Sequence, residues 1–204
     1  MNKKELISFL THSNILKTRS IIKAFENIDR KNFILKKYAS EAYDDYPLSI
    51  GYNQTISQPS TVAFMLELLG PKKGDRILDV GSGSGWTTAL LGHIASENGK
   101  VFGVELIPEL VLFSRDNLDK YNLENTKIYQ AKLDELGLKD KAPFDKILVS
   151  AGARNIPEQL IDQLKIGGVM VIPANNSLFK IIKKSKNEIK KQEIPGFVFV
   201  PLIY

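Results

Sequence analysis

Three glycines at alternate positions, Gly81, Gly83 and Gly85, have the spacing that most directly indicates chemistry in this chain. They follow a short, mostly apolar run, Arg76–Val80, and precede a run from Thr87 to Ile94 that is typical of a helix. A strand that turns into a helix through glycines is typical of nucleotide-binding sites, because a backbone without Cβ atoms bends sharply and lets a ligand approach the amides at the helix start. An ordinary tight turn is the alternative explanation of the same glycines.

An acidic residue at the expected distance supports the ligand-binding interpretation. Glu105 follows the apolar run Val101–Val104 and lies 20 residues after Gly85. A carboxylate at this point can accept hydrogen bonds from both hydroxyls of a ribose, although a lone glutamate at a strand end is more often only solvated. Trp86 stands where the dinucleotide fingerprint has its last glycine, so the spacing favours the looser turn of S-adenosylmethionine enzymes over an NAD site.

Two side chains beside the glycines have structural alternatives. We expect Trp86, the only tryptophan, to pack beside the turn rather than to stack on a base. Asp79 either points to the amides of the turn or is a polar strand end.

Composition sets the limits of what the chain can be. With 204 residues and 43% hydrophobic residues it can bury one substantial core, which predicts a single domain. The absence of cysteine excludes disulfides, thiolate metal sites and cysteine nucleophiles. His12 and His93 lie far apart in sequence and form no pair at metal-ligand spacing, so we expect both to be structural and expect no metal.

Charge and hydropathy give the expected environment. The sequence contains neither a run of the roughly 20 apolar residues that a membrane span needs nor a signal-type N-terminus, which predicts a cytoplasmic protein without a membrane partner. The net charge is +5, but much of the excess lies on late residues that we expect to form the solvated face of a hairpin: Lys180, Lys183, Lys184, Lys186, Lys190 and Lys191. We therefore expect no nucleic-acid partner.

The N-terminal third must carry different elements from the rest. Residues 2–37 have apolar positions at helical spacing, with one face expected from Leu6, Phe9 and Leu10 and another from Ile21, Ile22, Phe25 and Ile28. Residues 47–55 predict an ordered loop, and a helix is expected over 60–69, between Pro59 and Gly70.

From Arg76 onward strands and helices alternate, which predicts an α/β fold with a doubly wound, mostly parallel sheet. Strands are expected near 76–80, 101–105, 126–130, 144–150 and 168–172, and helices near 85–95, 108–121 and 157–165. The tail, with apolar runs at 179–182, 189–194 and 197–200, predicts antiparallel strands that close one edge of the sheet.

Several segments together carry a resemblance to a known family. They are Phe25–Phe33, Tyr43–Pro59, Leu78–Gly85, Glu105–Leu110, Ala142–Asp145, Ile156–Leu160, Gly167–Pro173 and Phe199–Leu202. In this order the chain resembles the protein-L-isoaspartate O-methyltransferases over nearly its whole length. The glycine turn is common to many methyltransferases, whereas Pro47–Pro59 is specific to this family.

The resemblance implies a fold, a reaction and a set of site residues. It implies a sheet of the S-adenosylmethionine-dependent methyltransferase type with a final antiparallel strand, formed by one domain in which residues 1–70 are a helical substrate and active-site segment and 71–204 are the cofactor-binding sheet. It implies methyl esterification of the α-carboxylate of L-isoaspartyl residues in damaged peptides and proteins, which initiates repair. Ser57 matches the active-site serine. The implied cofactor-binding residues are Thr55, Ile56, Gln58, Asp79, Gly81, Ser82, Gly83, Gly85, Glu105, Leu106, Lys132 and Leu133.

One departure from the family pattern concerns the adenine end. The family usually has Gly-Asp-Gly after the strand at 126–130, whereas this chain has Gln130-Ala131-Lys132-Leu133-Asp134. The aspartate position is Lys132 or Leu133, depending on where a gap falls, and Asp134 is a neighbouring substitute.

The residues also fit the implied chemistry. A carboxylate with a pKa near 4 is already ionised at neutral pH, so methyl transfer to it requires alignment and desolvation but no general base. A hydroxyl such as that of Ser57 can orient the acceptor. From the local sequence alone a helix N-cap is the preferred explanation of Ser57, and the family resemblance reverses that preference. We expect a monomer. The alternatives are a divergent cofactor-binding module without catalysis, a methyltransferase for another carboxylate or for nucleic acid, and a dehydrogenase.

Overall fold

The N-terminal region folds into short helices that pack on the rest of the chain. The structure is a computed structural model and describes residues 1–203. It begins with helices α1 (Lys3–His12) and α2 (Arg19–Asn27), followed by 3-10 turns over Arg30–Phe33 and Lys36–Glu41. Asn2 and Glu5 form a capping box at the start of α1, which satisfies two amides that the helix leaves unpaired. Leu6 and Leu10 are buried as expected, but Phe9 is 44% exposed, so its predicted place on the apolar face was wrong.

A β-hairpin occupies the segment for which the sequence predicted a loop. Strands β1 (Leu48–Gly51) and β2 (Gln54–Ile56) pair antiparallel, and the turn between them holds Tyr52 and Asn53 at positive φ. Two consecutive left-handed residues are the geometry of a tight hairpin turn. Helix α3 (Pro59–Leu69) follows, with its proline in the first turn and left-handed Gly70 at its C-terminus, as predicted.

The main sheet has seven strands in the remaining two thirds of the chain. Three helices lie between its first five strands along the chain: α4 (Trp86–Ala95), α5 (Pro108–Leu118) and α6 (Glu158–Gln163). Its strands are β3 (Arg76–Val80), β4 (Lys100–Glu105), β5 (Thr126–Gln130), β6 (Phe144–Val149), β7 (Leu164–Ala174), β8 (Ser177–Lys183) and β9 (Ile189–Pro195). These bounds agree with the predicted strands, except that β7 begins earlier than expected.

The strand order places a crevice at the centre of the sheet. The order is β5-β4-β3-β6-β7-β8-β9, with parallel pairing from β5 through β7 and antiparallel pairing of β8 and β9. The chain leaves β3 toward β4 on one side and returns to β6 on the other. Ligands of open α/β sheets bind outside the carboxyl ends of the strands at such a reversal. The predicted α/β fold with an antiparallel C-terminal edge is confirmed.

Both faces of the sheet are covered by apolar clusters. Ile77 lies in the larger cluster, which includes side chains of α1 to α5, whereas the next residue, Leu78, lies in a second cluster with Leu160 of α6. Alternating sides along β3 follow from the two-residue period of a strand. The central strands are therefore buried on both faces, which holds their carboxyl ends in fixed register.

The tail differs from the prediction at two points. Residues 197–200 form no strand. Phe197 stacks on Phe64 at 5.5 Å between ring centroids, and Pro201 forms an isolated bridge with Gly152 in the segment after β6. Lys183 is buried rather than solvated, because its Nζ donates hydrogen bonds to the carbonyls of Ile161 and Asp162 at the end of α6. The other predicted lysines of the β8–β9 hairpin are exposed or partly exposed, and β9 is one of the two edge strands of the sheet.

None of the helices within residues 1–203 is long and apolar enough to cross a membrane. Within the same residues, no group of three histidine, aspartate or glutamate side chains is arranged to hold a metal ion.

Candidate functional site

The glycine turn connects β3 to α4 as the spacing predicts. All three glycines have positive φ, with values of 75° at Gly81, 54° at Gly83 and 88° at Gly85. A side chain would be strained in this left-handed backbone. At Gly85 a Cβ would also lie 3.1 Å from the Cβ of Ser114, so this glycine allows α4 and α5 to approach each other.

The amides of the turn are less available than the sequence suggested. Those of Gly81 and Ser82 donate to the carbonyl of Val104, at 2.8 and 3.1 Å, and that of Gly85 donates to the carbonyl of Ser82. The amide of Gly83 donates to Oε2 of Glu105 at 2.9 Å. The turn therefore offers a ligand its surface and its lack of side chains more than free donors.

Glu105 is a buried carboxylate whose position is fixed from two sides. Besides the bond from Gly83, its Oε1 accepts a hydrogen bond from the amide of Ile107 at 3.0 Å. The residue is 7% exposed and lines the central cleft of the sheet. Each carboxylate oxygen has remaining lone pairs, so the group can still accept hydrogen bonds from a bound polyol.

The central cleft encloses about 800 Å³, including the space open to solvent. Of the residues predicted to hold a cofactor, it is lined by Thr55, Gly81, Gly83, Glu105, Leu106 and Lys132. The β1–β2 hairpin, which is distant in sequence from the main sheet, therefore meets the glycine turn and the ends of β4 and β5 at this cleft.

A smaller cavity adjoins the cleft on the side of the N-terminal segment. It encloses about 330 Å³ and shares Thr55, Gly81 and Gly83 with the cleft. Ile56, Ser57 and Ser82 also line it. Ser57 is thus placed next to the glycine turn rather than at the N-cap of α3, where Gln58 stands; the N-cap explanation of Ser57 was wrong. Gln58 lines neither space, and its Nε2 donates to Asp45.

Asp79 lies beneath the turn and faces hydroxyls, not the amides that the sequence suggested. Its Oδ2 accepts hydrogen bonds from the hydroxyls of Thr87 and Thr88, at 2.7 and 2.6 Å, and its Oδ1 has no partner among the described residues. Complete burial raises the pKa of Asp79 to about 6, and the nearby charge of Glu105 adds to this, while the threonine hydroxyls oppose it. The residue supports the turn from below and does not line the cleft.

Trp86 packs beside the turn, as predicted. Its ring is 2% exposed and meets Phe25 edge to face at 5.5 Å between centroids. Its contribution is to join α4 to α2 of the N-terminal region.

Only some of the residues that the sequence suggested for the adenine end lie at the cleft. Leu133 is 70% exposed and Asp134 is an exposed residue in the left-handed conformation, and neither of them lines the cleft. Lys132 and Glu135 flank these two residues, and both line the cleft. Nζ of Lys132 lies 3.1 Å from Oε2 of Glu135. Glu135 is a site residue that the sequence reasoning missed.

The loop that carries Glu135 is held by two glutamines of α6. The amide of Leu136 donates to Oε1 of Gln159, at 3.0 Å, and the amide of Leu138 donates to Oε1 of Gln163, at 2.8 Å. Nε2 of Gln163, a buried residue, donates to the carbonyl of Leu136 at 2.7 Å. Two glutamines four residues apart on one helix face are the sequence signal for this support.

The C-terminal segment forms another missed wall of the cleft. Residues 200–203 line it, and the amide of Leu202 donates to the carbonyl of Gly152 at 2.8 Å while the amide of Gly152 donates to that of Val200 at 2.7 Å. These are backbone contacts, so the residue types gave no sign of them.

Comparisons with known proteins agree on one family. The family model described as protein-L-isoaspartate(D-aspartate) O-methyltransferase matches residues 1–204. A protein-L-isoaspartate O-methyltransferase of Fervidobacterium nodosum is 41% identical over 188 residues, which cover 91% of this chain and 94% of the relative. One of Pyrobaculum islandicum is 39% identical over 202 residues, covering 97% of both chains.

A solved structure extends the similarity to three dimensions. It is a crystal structure from Plasmodium falciparum, described as a protein-L-isoaspartate O-methyltransferase in complex with S-adenosyl-L-homocysteine. Its TM-score is 0.87 at 30% identity, and the match covers 99% of this chain and 98% of that chain.

Proposed function

This chain belongs to the protein-L-isoaspartate(D-aspartate) O-methyltransferase family, and we propose how its cleft performs the family's reaction. The protein transfers a methyl group from S-adenosylmethionine to the α-carboxylate of L-isoaspartyl residues in damaged proteins. The observation that carries the assignment of the site is that the Thr55–Ser57 segment and the glycine turn line the same cavity, beside the cleft that contains Glu105.

The residues of the cleft fit an adenosyl cofactor. Glu105 faces the cleft with oxygens that can accept hydrogen bonds from ribose hydroxyls, and the glycine turn leaves room for the ligand to approach the backbone. We assign the cofactor site to Thr55, Ile56, Gly81, Ser82, Gly83, Glu105, Leu106 and Lys132. Three further predicted residues support this site without lining the cleft. Asp79 accepts hydrogen bonds from Thr87 and Thr88, and Gly85 allows α4 to pack on α5. Gln58 donates a hydrogen bond to Asp45.

The chemistry demands alignment more than acid or base catalysis. S-adenosylmethionine, when bound, supplies an electrophilic methyl group on a sulfonium. The isoaspartyl carboxylate is ionised at neutral pH, so the protein must remove water from it and hold it in line with that methyl group. We propose that the Ser57 hydroxyl donates a hydrogen bond to the carboxylate and fixes its orientation.

The adenine end is proposed to use Glu135 in place of the family's aspartate. Beyond Glu105 the cleft is lined by Ile107, Ala131 and Leu136, an apolar slot for a planar base, with the Glu135 carboxylate at its edge. A carboxylate there can accept a hydrogen bond from an exocyclic amino group. Lys132 forms an ion pair with Glu135, but both side chains are largely exposed, so the loop held by Gln159 and Gln163, rather than this pair, fixes the carboxylate at the edge.

Methylation of an isoaspartyl peptide tests the function. The purified protein is mixed with an isoaspartyl peptide and methyl-labelled S-adenosylmethionine, and base-labile methyl ester is measured; the same peptide with normal aspartate is the control. We expect ester on the isoaspartyl peptide only. No ester, while calorimetry shows that the cofactor binds, would instead favour a binding module or another carboxylate substrate.

The remaining expectations from the sequence stay predictions. They are a single domain, in which residues 1–70 present Ser57 to the cofactor-binding sheet formed by 71–204, a monomer, a cytoplasmic location, and the absence of a nucleic-acid partner.

A further inference from the structure

Arg30 is a buried cation in the N-terminal segment that the proposed chemistry does not use. It is 2% exposed, and the ion pairs found within residues 1–203 do not include it. An isolated buried charge is costly, so an arginine in this position must be compensated by hydrogen bonds.

The partners of Arg30 are backbone carbonyls of two separate segments. Its Nη1 donates to the carbonyls of Ala42 and Asp44, at 2.8 and 3.4 Å, and its Nη2 donates to those of Tyr46 and Ser57, at 3.0 and 3.2 Å. The planar fork of a guanidinium can satisfy several acceptors at once, which a lysine cannot do in the same geometry. One side chain thus ties residues 42–46 to the backbone of Ser57.

A carboxylate completes this connection from the other side. Asp45 accepts a hydrogen bond from Nε2 of Gln58 at 3.1 Å and another from the amide of Ser60 at 2.8 Å. Arg30 and Asp45 together hold residues 57–60, which we call the acceptor loop, at both of its ends.

The same arginine also contacts the glycine-turn helix. Its guanidinium carbon lies 5.6 Å from the ring centroid of Trp86, the first residue of α4. Cations over an indole face are attracted to it, more so when both are buried. Arg30 therefore contacts both the Ser57 backbone and the helix that follows the glycine turn.

We infer that Arg30 is a positioning residue, which sets the distance and orientation of Ser57 relative to the glycine turn and so aligns the acceptor carboxylate with the methyl donor. The inference rests on the proposed function. Burial lowers the pKa of Arg30 to about 10, while Asp45 and Asp44 oppose this, so the guanidinium is charged at neutral pH.

Charge and geometry have separable consequences for the reaction. The attacking carboxylate loses charge as the methyl group is transferred, so a nearby cation stabilises the bound acid more than the transition state. Loss of the charge alone should therefore raise KM for the peptide without lowering kcat, whereas loss of the geometry should lower kcat.

The test compares Arg30→Gln and Arg30→Lys with Lys183→Gln as a matched control. Lys183 is also a buried cation that donates to two backbone carbonyls, but it caps α6 away from the acceptor loop. We expect Arg30→Gln to lower kcat by about 10- to 100-fold and to raise KM. Arg30→Lys, which keeps the charge, should lower kcat with KM little changed, and Lys183→Gln should alter neither. The affinity for S-adenosylhomocysteine should stay within about threefold in all three, since Arg30 does not line the cleft.

Two results would overturn the inference. One is a kcat within about twofold of wild type in both Arg30 variants, because neither substitution would then lower kcat more than Lys183→Gln does. The other is unchanged amide hydrogen-exchange protection of residues 57–60 in Arg30→Gln. This measurement decides the positioning role even if the wild type has no activity on isoaspartyl peptides, a result that would reject the proposed function alone.

Discussion

The carboxylate of Glu105 accepts a hydrogen bond from the amide of Gly83 across the first turn of the sheet, with 2.9 Å between Oε2 and the nitrogen. This contact joins the end of β4 to the glycine turn that follows β3, so the acid and the turn keep their spacing before a ligand arrives. The predictions below follow from this arrangement and from the residues around it.

Replacement of Glu105 by glutamine should weaken cofactor binding. The amide can accept only through its oxygen, so its NH₂ group would face one of the two amides, of Gly83 or Ile107, that the carboxylate now satisfies. Hydrogen bonds to charged groups contribute about 1.5–3 kcal/mol, which corresponds to roughly 10- to 100-fold in the dissociation constant for S-adenosylhomocysteine. Calorimetry measures this value. The exposed Glu109→Gln is the control, and an equal loss in both would show that Glu105 has no special role.

Removal of the Ser57 hydroxyl should affect turnover but not folding. Ser57→Ala keeps the backbone carbonyl that Arg30 binds, so the acceptor loop should stay in place. We expect kcat for an isoaspartyl peptide to fall by about tenfold or more, with the unfolding midpoint and cofactor affinity unchanged. Ser60→Ala, three residues further along the same segment, should keep its activity. A rate for Ser57→Ala equal to that of wild type would remove the hydroxyl from the mechanism.

Asp79 should make folding stability fall as the pH rises. Its pKa is raised to about 6 in the folded protein by burial, compared with about 3.9 in an unfolded chain. Between these values the folded state keeps a proton that the unfolded state has released, so the free energy of unfolding decreases with increasing pH and levels off above about pH 6. The difference corresponds to roughly 3 kcal/mol.

Urea unfolding of the wild type and of Asp79→Asn at pH 4 and pH 7 measures this contribution. Asparagine does not titrate, so the wild type should lose stability relative to the variant on going from pH 4 to pH 7. A stability difference between the two proteins that is constant across this range would show that Asp79 is ionised in the folded state at both pH values.

Glu135 should distinguish adenine from a base without the amino group. The wild type should bind S-adenosylhomocysteine more tightly than the hypoxanthine analogue, S-inosylhomocysteine, by about tenfold or more, because the carboxylate would face an acceptor oxygen in the analogue. Glu135→Gln should reduce this preference, since the amide can both donate and accept. Lys132→Met, which leaves the carboxylate in place, should keep it. Equal affinity of the wild type for both ligands contradicts the assignment.

Gly137→Ala should loosen the loop that carries Glu135. Gly137 has φ of +87°, and an added Cβ would clash with the amide group of Gln163, which holds the loop. We expect a loss of about 1–3 kcal/mol in stability together with weaker cofactor binding. Gly167→Ala is the control, because φ there is +83° and no atom lies within 4 Å of the added Cβ. If both variants bind S-adenosylhomocysteine equally well, the loop does not contribute to the site.

The parts of the fold with strong local patterns could be predicted from the sequence. Strands β3 and β5 were predicted to the residue, because their apolar runs end at a glycine or a polar residue. Strand β9 was predicted to within one residue from the apolar Ile189 and Ile194 near its ends. The β1–β2 hairpin was missed, since strands of four and three residues are too short to show a period. Phe197–Val200 has the composition of a strand, but the stacking of Phe197 on Phe64 holds the segment away from the sheet edge.

The site was predictable where backbone geometry and residue type coincide, as at Gly83 and Glu105. It was not predictable where a role depends on distant contacts. Lys183 reads as one more solvated lysine until the end of α6 is placed against it. Leu133 was a candidate because the position of a gap could align it with the family's aspartate. In the structure a turn of the chain exposes Leu133, and Glu135 lines the cleft instead.

The exposed edge at strand β9 has a consequence for the protein in concentrated solution. Strand β9 presents an unpaired backbone edge, on which another molecule could in principle add a strand. Lys190 and Lys191 are exposed along that edge. Addition of another strand would bury these charged side chains against a neighbouring molecule, so intermolecular sheet growth, the first step toward β aggregates, is disfavoured along β9.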